Sequence, residues 1–136
     1  MSQPRYRHLK NEVDQGILIL TLSPSRLEGD AMAESLVEEM GAAVAQAAAD
    51  KVVVNLEHVE YLTSANFRPF LAVRRQLQSC GGQLVLCGLK PAVAEIFHVT
   101  RLVGVGASSS LFQVQPDVAA AVALLTAKPA SGGSKG

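Results

Sequence analysis

The sequence predicts an α/β fold: a single mixed, largely parallel β-sheet of four to five strands with four helices packed on it. Three observations carry that expectation. Two short runs, Val52-Val53-Val54-Asn55-Leu56 and Gln83-Leu84-Val85-Leu86-Cys87, are nearly unbroken in apolar character, the pattern of strands covered on both faces of a sheet. The stretches around them repeat apolar residues at helical spacing. The two kinds of segment alternate in the order β-β-α-β-α-β-α-β-α, with two βαβ crossovers that put parallel strands in the middle of the sheet. A chain of 136 residues, 49% apolar, has enough material for one core and one domain.

Residues 5–13 read as a strand, and Asp14-Gln15-Gly16 supplies turn chemistry for a hairpin into Ile17-Leu18-Ile19-Leu20-Thr21-Leu22. Ser23-Pro24-Ser25 ends it. Gly29-Asp30 then introduces a helix with Asp30 as N-cap. Its apolar stripe is Ala33, Leu36, Val37, Met40, Ala43, Val44 and Ala47, and its opposite face carries Glu34, Glu38, Glu39 and Gln46. After the strand at 51–56, Phe67, Phe70, Val73, Leu77 and Cys80 form a second stripe on a helix over about 66–80, which Gly81-Gly82 ends. The strand at 83–87 leads to a short helix opened by Pro91 and running through Ala94, Ile96, Phe97 and His98. Thr100 to Ser110 reads as a connection and Leu111-Phe112-Gln113-Val114 as a last short strand. Pro116 stands at the first turn of a final helix with Val118, Val122 and Leu125 on one face. The domain is expected over residues 1–127, and the Ser- and Gly-rich 128–136 as a flexible tail.

Composition excludes several functions. Twelve Lys and Arg balance twelve Asp and Glu, so no net field draws nucleic acid or an anionic membrane. Trp is absent and aromatic residues make up 4%, too few to stack bases. Without a signal peptide or an apolar run of membrane-spanning length, the chain is expected to be cytoplasmic with no membrane insertion. Cys80 and Cys87 form no disulfide framework, which fits a reducing compartment. His8, His58 and His98 lie on different elements without ligand-spaced companions, so neither a metal nor a cofactor is expected. Ser64 lacks the flanking glycines of a nucleophile elbow, and Gly104-Val105-Gly106 lacks the third glycine of a dinucleotide loop. No catalytic residue is assigned, and the chain reads as a non-enzyme.

Thr63-Ser64-Ala65-Asn66 is set apart by position. It follows a buried strand and begins a helix, where backbone N–H groups are unpaired and α/β sheets present ligands. Pro69 favours Asn66 as the cap, because its missing N–H then falls at the third helical position. Thr63 and Ser64 are left in the lead-in loop. A phosphate on Ser64 would add roughly −1.5 to −2 charges beside the positive helix end.

The element order resembles the STAS family, the sulfate transporter and anti-sigma factor antagonist domain. So does the succession Val52-Val53-Val54-Asn55-Leu56, five residues, Leu62-Thr63-Ser64-Ala65-Asn66, then Gly81-Gly82-Gln83-Leu84-Val85-Leu86. The resemblance runs over residues 5–126. It puts Ser64 on the family's phosphorylatable serine, with Thr63 as the second choice of acceptor. Thr63 stands where the family often has Asp, and Asn66 where Gly is common; Asn enters left-handed backbone readily, so it is expected to keep the bend. The resemblance implies a stand-alone anti-sigma factor antagonist. Its partner is an anti-sigma factor that is a serine kinase of the histidine-kinase-like ATPase fold; phosphorylation breaks the contact and a phosphatase restores it. The implied partner-binding residues are His58, Glu60, Thr63, Ser64, Ala65, Asn66 and Arg68, in the 57–68 loop and the start of the following helix. Two alternatives stand beside it. One is a phosphorylation-independent scaffold subunit of a signalling assembly or lipid-transport ATPase complex. The other is a small-ligand or nucleotide module at the end of the 52–56 strand. The oligomeric state is left open.

Overall fold

The computed structural model describes residues 6–99 and 113–126. In chain order its elements are β1 (Leu9–Asp14), β2 (Ile17–Leu22), β3 (Arg26–Leu27), α1 (Asp30–Ala47), β4 (Lys51–Asn55), β5 (Tyr61–Leu62), a 3-10 turn (Ser64–Phe67), α2 (Arg68–Gln78), β6 (Gln83–Cys87), α3 (Pro91–Val99), β7 (Gln113–Gln115) and α4 (Val118–Thr126). Five strands form one sheet in the order β1-β2-β4-β6-β7, antiparallel only at the β1/β2 hairpin. The hairpin turns through Gln15 and Gly16, both at positive φ (54° and 79°), a geometry whose twist matches the flanking strands.

Pleating divides the core into two layers. Leu18, Leu20, Leu22, Val52, Val54, Leu84 and Leu86 pack with Leu36 and Met40 of α1, Phe70, Val73 and Leu77 of α2, and Val93 and Phe97 of α3. Ile17, Ile19, Val53, Val85 and Cys87 point to the other face, where Ala121, Val122 and Leu125 of α4 cover them. Each such Leu, Ile or Val contributes roughly 1.5–3 kcal/mol on burial. The continuous apolar character of 52–56 and 84–87 is thus explained by helices on both sides.

The glycine pair after α2 has two separate reasons. Gly81 takes a positive φ of 74°, and the Gly82 N–H turns back to the Leu77 carbonyl at 2.7 Å. Gly82 passes so close to the start of β4 that a Cβ there would lie 2.5 Å from the Asp50 carbonyl oxygen.

Several expectations are corrected. Three parallel crossovers exist rather than two, because β7 also pairs parallel to β6. Arg26–Leu27 and Tyr61–Leu62 form a separate two-stranded parallel sheet; two residues per strand are too few for a period to show. Asp30 is the first helical residue rather than the cap, which falls on Gly29 at φ 89° without a side-chain bond. Its carboxylate still favours the positive end of α1. Val37 and Ala47 are only half-buried. Cys80 is exposed, because α2 ends at Gln78 and the chain turns before completing another turn of the stripe. Pro116 precedes α4, and Asp117 caps it, with Oδ1 accepting from the Ala120 N–H at 2.8 Å. The 100–110 connection, Leu111, Phe112 and the 128–136 tail lie outside the described residues.

Candidate functional site

The site is built where β4 ends. Asn55, 5% exposed, accepts the Glu57 N–H on Oδ1 at 3.1 Å and donates from Nδ2 to Glu57 Oε1 at 3.2 Å. This side-chain turn bends the chain out of the sheet. Gly88, just beyond β6 at φ 70°, makes room for it: a Cβ there would lie 2.7 Å from Asn55 Oδ1. The chain then runs against the β3 segment. Glu60 N–H donates to Ser25 O at 2.7 Å and Thr63 N–H to Leu27 O at 2.9 Å, while Val59 and Leu62 are buried. The 57–63 loop is therefore tied at backbone and core, leaving Glu57, His58, Glu60 and Tyr61 exposed.

Pro69 sets the next turn. It has no N–H for the Ala65 carbonyl, and that carbonyl accepts instead from the Arg68 N–H, which tightens Ser64–Phe67 into a 3-10 turn. Asn66 is consequently not the cap of α2, and it is not among the residues at positive φ. It is fully buried, and its Nδ2 donates to Gly29 O at 3.3 Å and to Thr63 Oγ1 at 3.1 Å. One amide thus ties the serine turn to the start of α1. Asn66 Oδ1 is a buried oxygen without a donor. Next along the turn, Phe67 packs its ring 5.0 Å from that of Phe97, which meets Phe70 at 5.7 Å.

The two hydroxyls differ in consequence. Thr63 Oγ1 is engaged by Asn66 and its residue is half-buried, whereas Ser64 is exposed. Arg68, also exposed, has Nη2 3.7 Å from Asp30 Oδ1 and donates from Nε to Ala65 O at 3.4 Å. Thr63, Ser64, Ala65, Asn66 and Arg68 are brought together at the start of α1. His58 lies elsewhere, paired with Glu57 at 3.5 Å and lining a groove with Lys10, Thr21 and Ser23. Glu60 is near Arg26, whose Nε donates to Glu28 Oε2 at 2.8 Å and whose guanidinium stacks 4.6 Å from the Tyr61 ring centroid. That hydrogen bond holds the Glu28 carboxyl below the usual carboxylate range.

Sequence reasoning missed Asn55, Gly88, Arg26, Glu28 and Tyr61. Only the Asn at the strand end and the glycine after the next strand were visible signals, since the Arg26–Tyr61 contact spans the unpredicted small sheet. Among the described residues no group of three or more His, Cys, Asp or Glu is placed to hold a metal ion, and no helix is long and apolar enough to cross a membrane.

A mixed α/β sheet with three helices on one face and one on the other thus leads from a strand end to an exposed serine turn. The STAS domain family matches residues 8–121, and the chain belongs to it. BtrV of Bordetella bronchiseptica, assigned as an anti-sigma factor antagonist, is 37% identical over 115 residues, 84% of this chain and 91% of BtrV. An anti-sigma factor antagonist from Mycobacterium paratuberculosis has a similar structure, with TM-score 0.73 at 22% identity over 88% of this chain and 93% of that one. SpoIIAA is also similar in fold. Its unphosphorylated form gives TM-score 0.60 at 16% identity over 84% and 93% of the two chains. Its phosphorylated form, from Bacillus, gives 0.54 at 20% over 69% and 84%.

Proposed function

We propose that this protein is a non-enzymatic, cytoplasmic anti-sigma factor antagonist. It binds an anti-sigma factor that is a serine kinase of the histidine-kinase-like ATPase fold, through the 57–68 loop and the exposed face of α2. Phosphorylation of Ser64 releases the partner and a phosphatase resets the switch. The observation that carries this reading is the difference between adjacent hydroxyls: Ser64 is exposed beside Arg68, while Thr63 Oγ1 is held by Asn66. This difference favours Ser64 as the acceptor and Thr63 as a structural residue. The role assigned to BtrV by its name and the existence of phosphorylated SpoIIAA support the same reading.

The test uses the full chain with its kinase and ATP. Intact mass should rise by one phosphate, peptide mapping should place it on Ser64, and Ser64→Ala should take none. Ser64→Glu should weaken kinase binding. Tight binding by the Glu variant, together with an unchanged wild-type mass, would instead identify a scaffold that works without phosphorylation.

A further inference from the structure

We propose that Arg68, Leu71 and Arg75 form a docking stripe on α2 for an acidic surface of the protein partner. The inference rests on the partner-switching role proposed above and deepens it by naming the partner's chemistry. Spacings of three and four residues put these side chains on one helix face, opposite the buried Phe70, Val73 and Leu77. All three are exposed, and Leu71 is one of four large apolar residues so exposed among the described residues.

Charge is segregated although the chain as a whole is neutral. The sequence of α2 contains Arg68, Arg74 and Arg75 and no acidic residue. Its neighbour α1 contains Asp30, Glu34, Glu38 and Glu39 and no Lys or Arg. An acidic surface is thus drawn to α2 and turned away from α1.

Only weak contacts of the fold engage the stripe: Arg68 Nε donates to Ala65 O at 3.4 Å, and its Nη2 faces Asp30. Arg68 opens α2, at the positive end of the helix dipole, where a cation is disfavoured. Its contact with Asp30 at 3.7 Å joins side chains 54% and 84% exposed, a pair too solvated to hold it in place. Arg75 suits the C-terminal end of α2 but forms no ion pair among the described residues. Two arginine stems flanking an exposed leucine have the composition of an interface centre.

The same stripe explains how Ser64 would act as a switch. Ser64 lies four residues before Arg68, and phosphorylation there adds roughly −1.5 to −2 charges. Those charges cancel the two guanidinium groups of the stripe, and a charge-assisted bond to the phosphate competes for Arg68. An acidic partner then meets a face that no longer attracts it.

The probe is the kinase that co-purifies with the wild-type chain, identified and produced separately. Arg68→Glu with Arg75→Glu should slow its association about tenfold or more at low salt, with the gap closing at high salt. Leu71→Ala should speed dissociation, and Lys51→Glu, at the opposite end of β4 from the serine turn, should leave both rates unchanged. Should the charge-reversed chain fold poorly, Arg68→Gln with Arg75→Gln removes the attraction alone and should slow association severalfold. Wild-type rates and salt dependence in these variants, with Ser64→Glu still releasing the kinase, overturn the stripe and leave partner switching intact. A chain that retains no such kinase overturns both. Self-association lost in the charge-reversed variant assigns the stripe to α1 of a second copy and overturns the proposal as well.

Discussion

The Asn66 amide holds Thr63 Oγ1 at 3.1 Å and the Gly29 carbonyl at 3.3 Å through one nitrogen, while its Oδ1 faces no donor. The two ends of the amide therefore oppose each other in stability. Asn66→Ala loses both bonds but also removes the orphan oxygen, so a loss of about 1 kcal/mol is expected. Asn66→Asp keeps the shape and replaces the donor with an acceptor; the Thr63 hydroxyl can turn to donate to it, but the Gly29 carbonyl cannot. It should cost about 1–3 kcal/mol more at neutral pH, with the gap narrowing in acid as the carboxyl gains a proton. Thermal melts of both variants across pH check the order; equal melting temperatures would remove the tie from Asn66. The two cysteines give a second contrast. Burial, then Asp117 and Glu57, push the Cys87 thiol from 9.0 up to about 12, while Cys80 is exposed. A thiol reagent at mildly alkaline pH should add one label to the native chain and two after unfolding, as read by intact mass. Because folded Cys87 holds its proton more tightly than the unfolded thiol, its contribution is complete below pH 9.0 and is lost as pH rises towards about 12.

At the scale of elements, α1 ends in a conformation that suits glycine but is occupied by alanine. Ala48 has φ 52° and ψ 41°, and its N–H bonds the Ala45 carbonyl at 3.1 Å while Ala49 N–H reaches Val44 O at 3.2 Å. Left-handed backbone strains any residue with a Cβ. Ala48→Gly should raise the urea midpoint by the equivalent of about 0.5–1 kcal/mol, after allowing for the freer unfolded chain. Element identity was legible in the sequence wherever a period had room to repeat: α1, the α2 stripe through Leu77, and the buried strands β2, β4 and β6. Ends were less legible. Pro69 signalled a helix start, yet its effect was to create a 3-10 turn, because the carbonyl it leaves open is taken up locally by the Arg68 N–H. The Asp117 cap was hidden behind Pro116, a residue with an equally good reason to begin a helix.

Across the whole molecule, the site was half legible. Ser64 and Arg68 stand out because they are close in sequence to a strand end and a helix start. The Asn66 tie to Gly29 spans 37 residues, and the Arg26–Tyr61 stack joins strands of two residues each; no local pattern encodes either contact. His58 was grouped with Ser64 by sequence distance, yet the turn at Asn55 leads it towards Lys10, Thr21 and Ser23. The sheet and its two apolar layers thus follow from periodicity, whereas the surface follows from which distant loops the layers bring together.

The serine turn is anchored from beneath by Asn66 and Phe67, and its lead-in is stitched to β3 by backbone bonds. A modification at Ser64 therefore has little to rearrange: the scaffold already holds the geometry a partner meets. The two states of the switch proposed above would differ in surface field more than in shape. Under the proposed function, the response time would be set by how often kinase and phosphatase arrive, without a slow refolding step between signal and release.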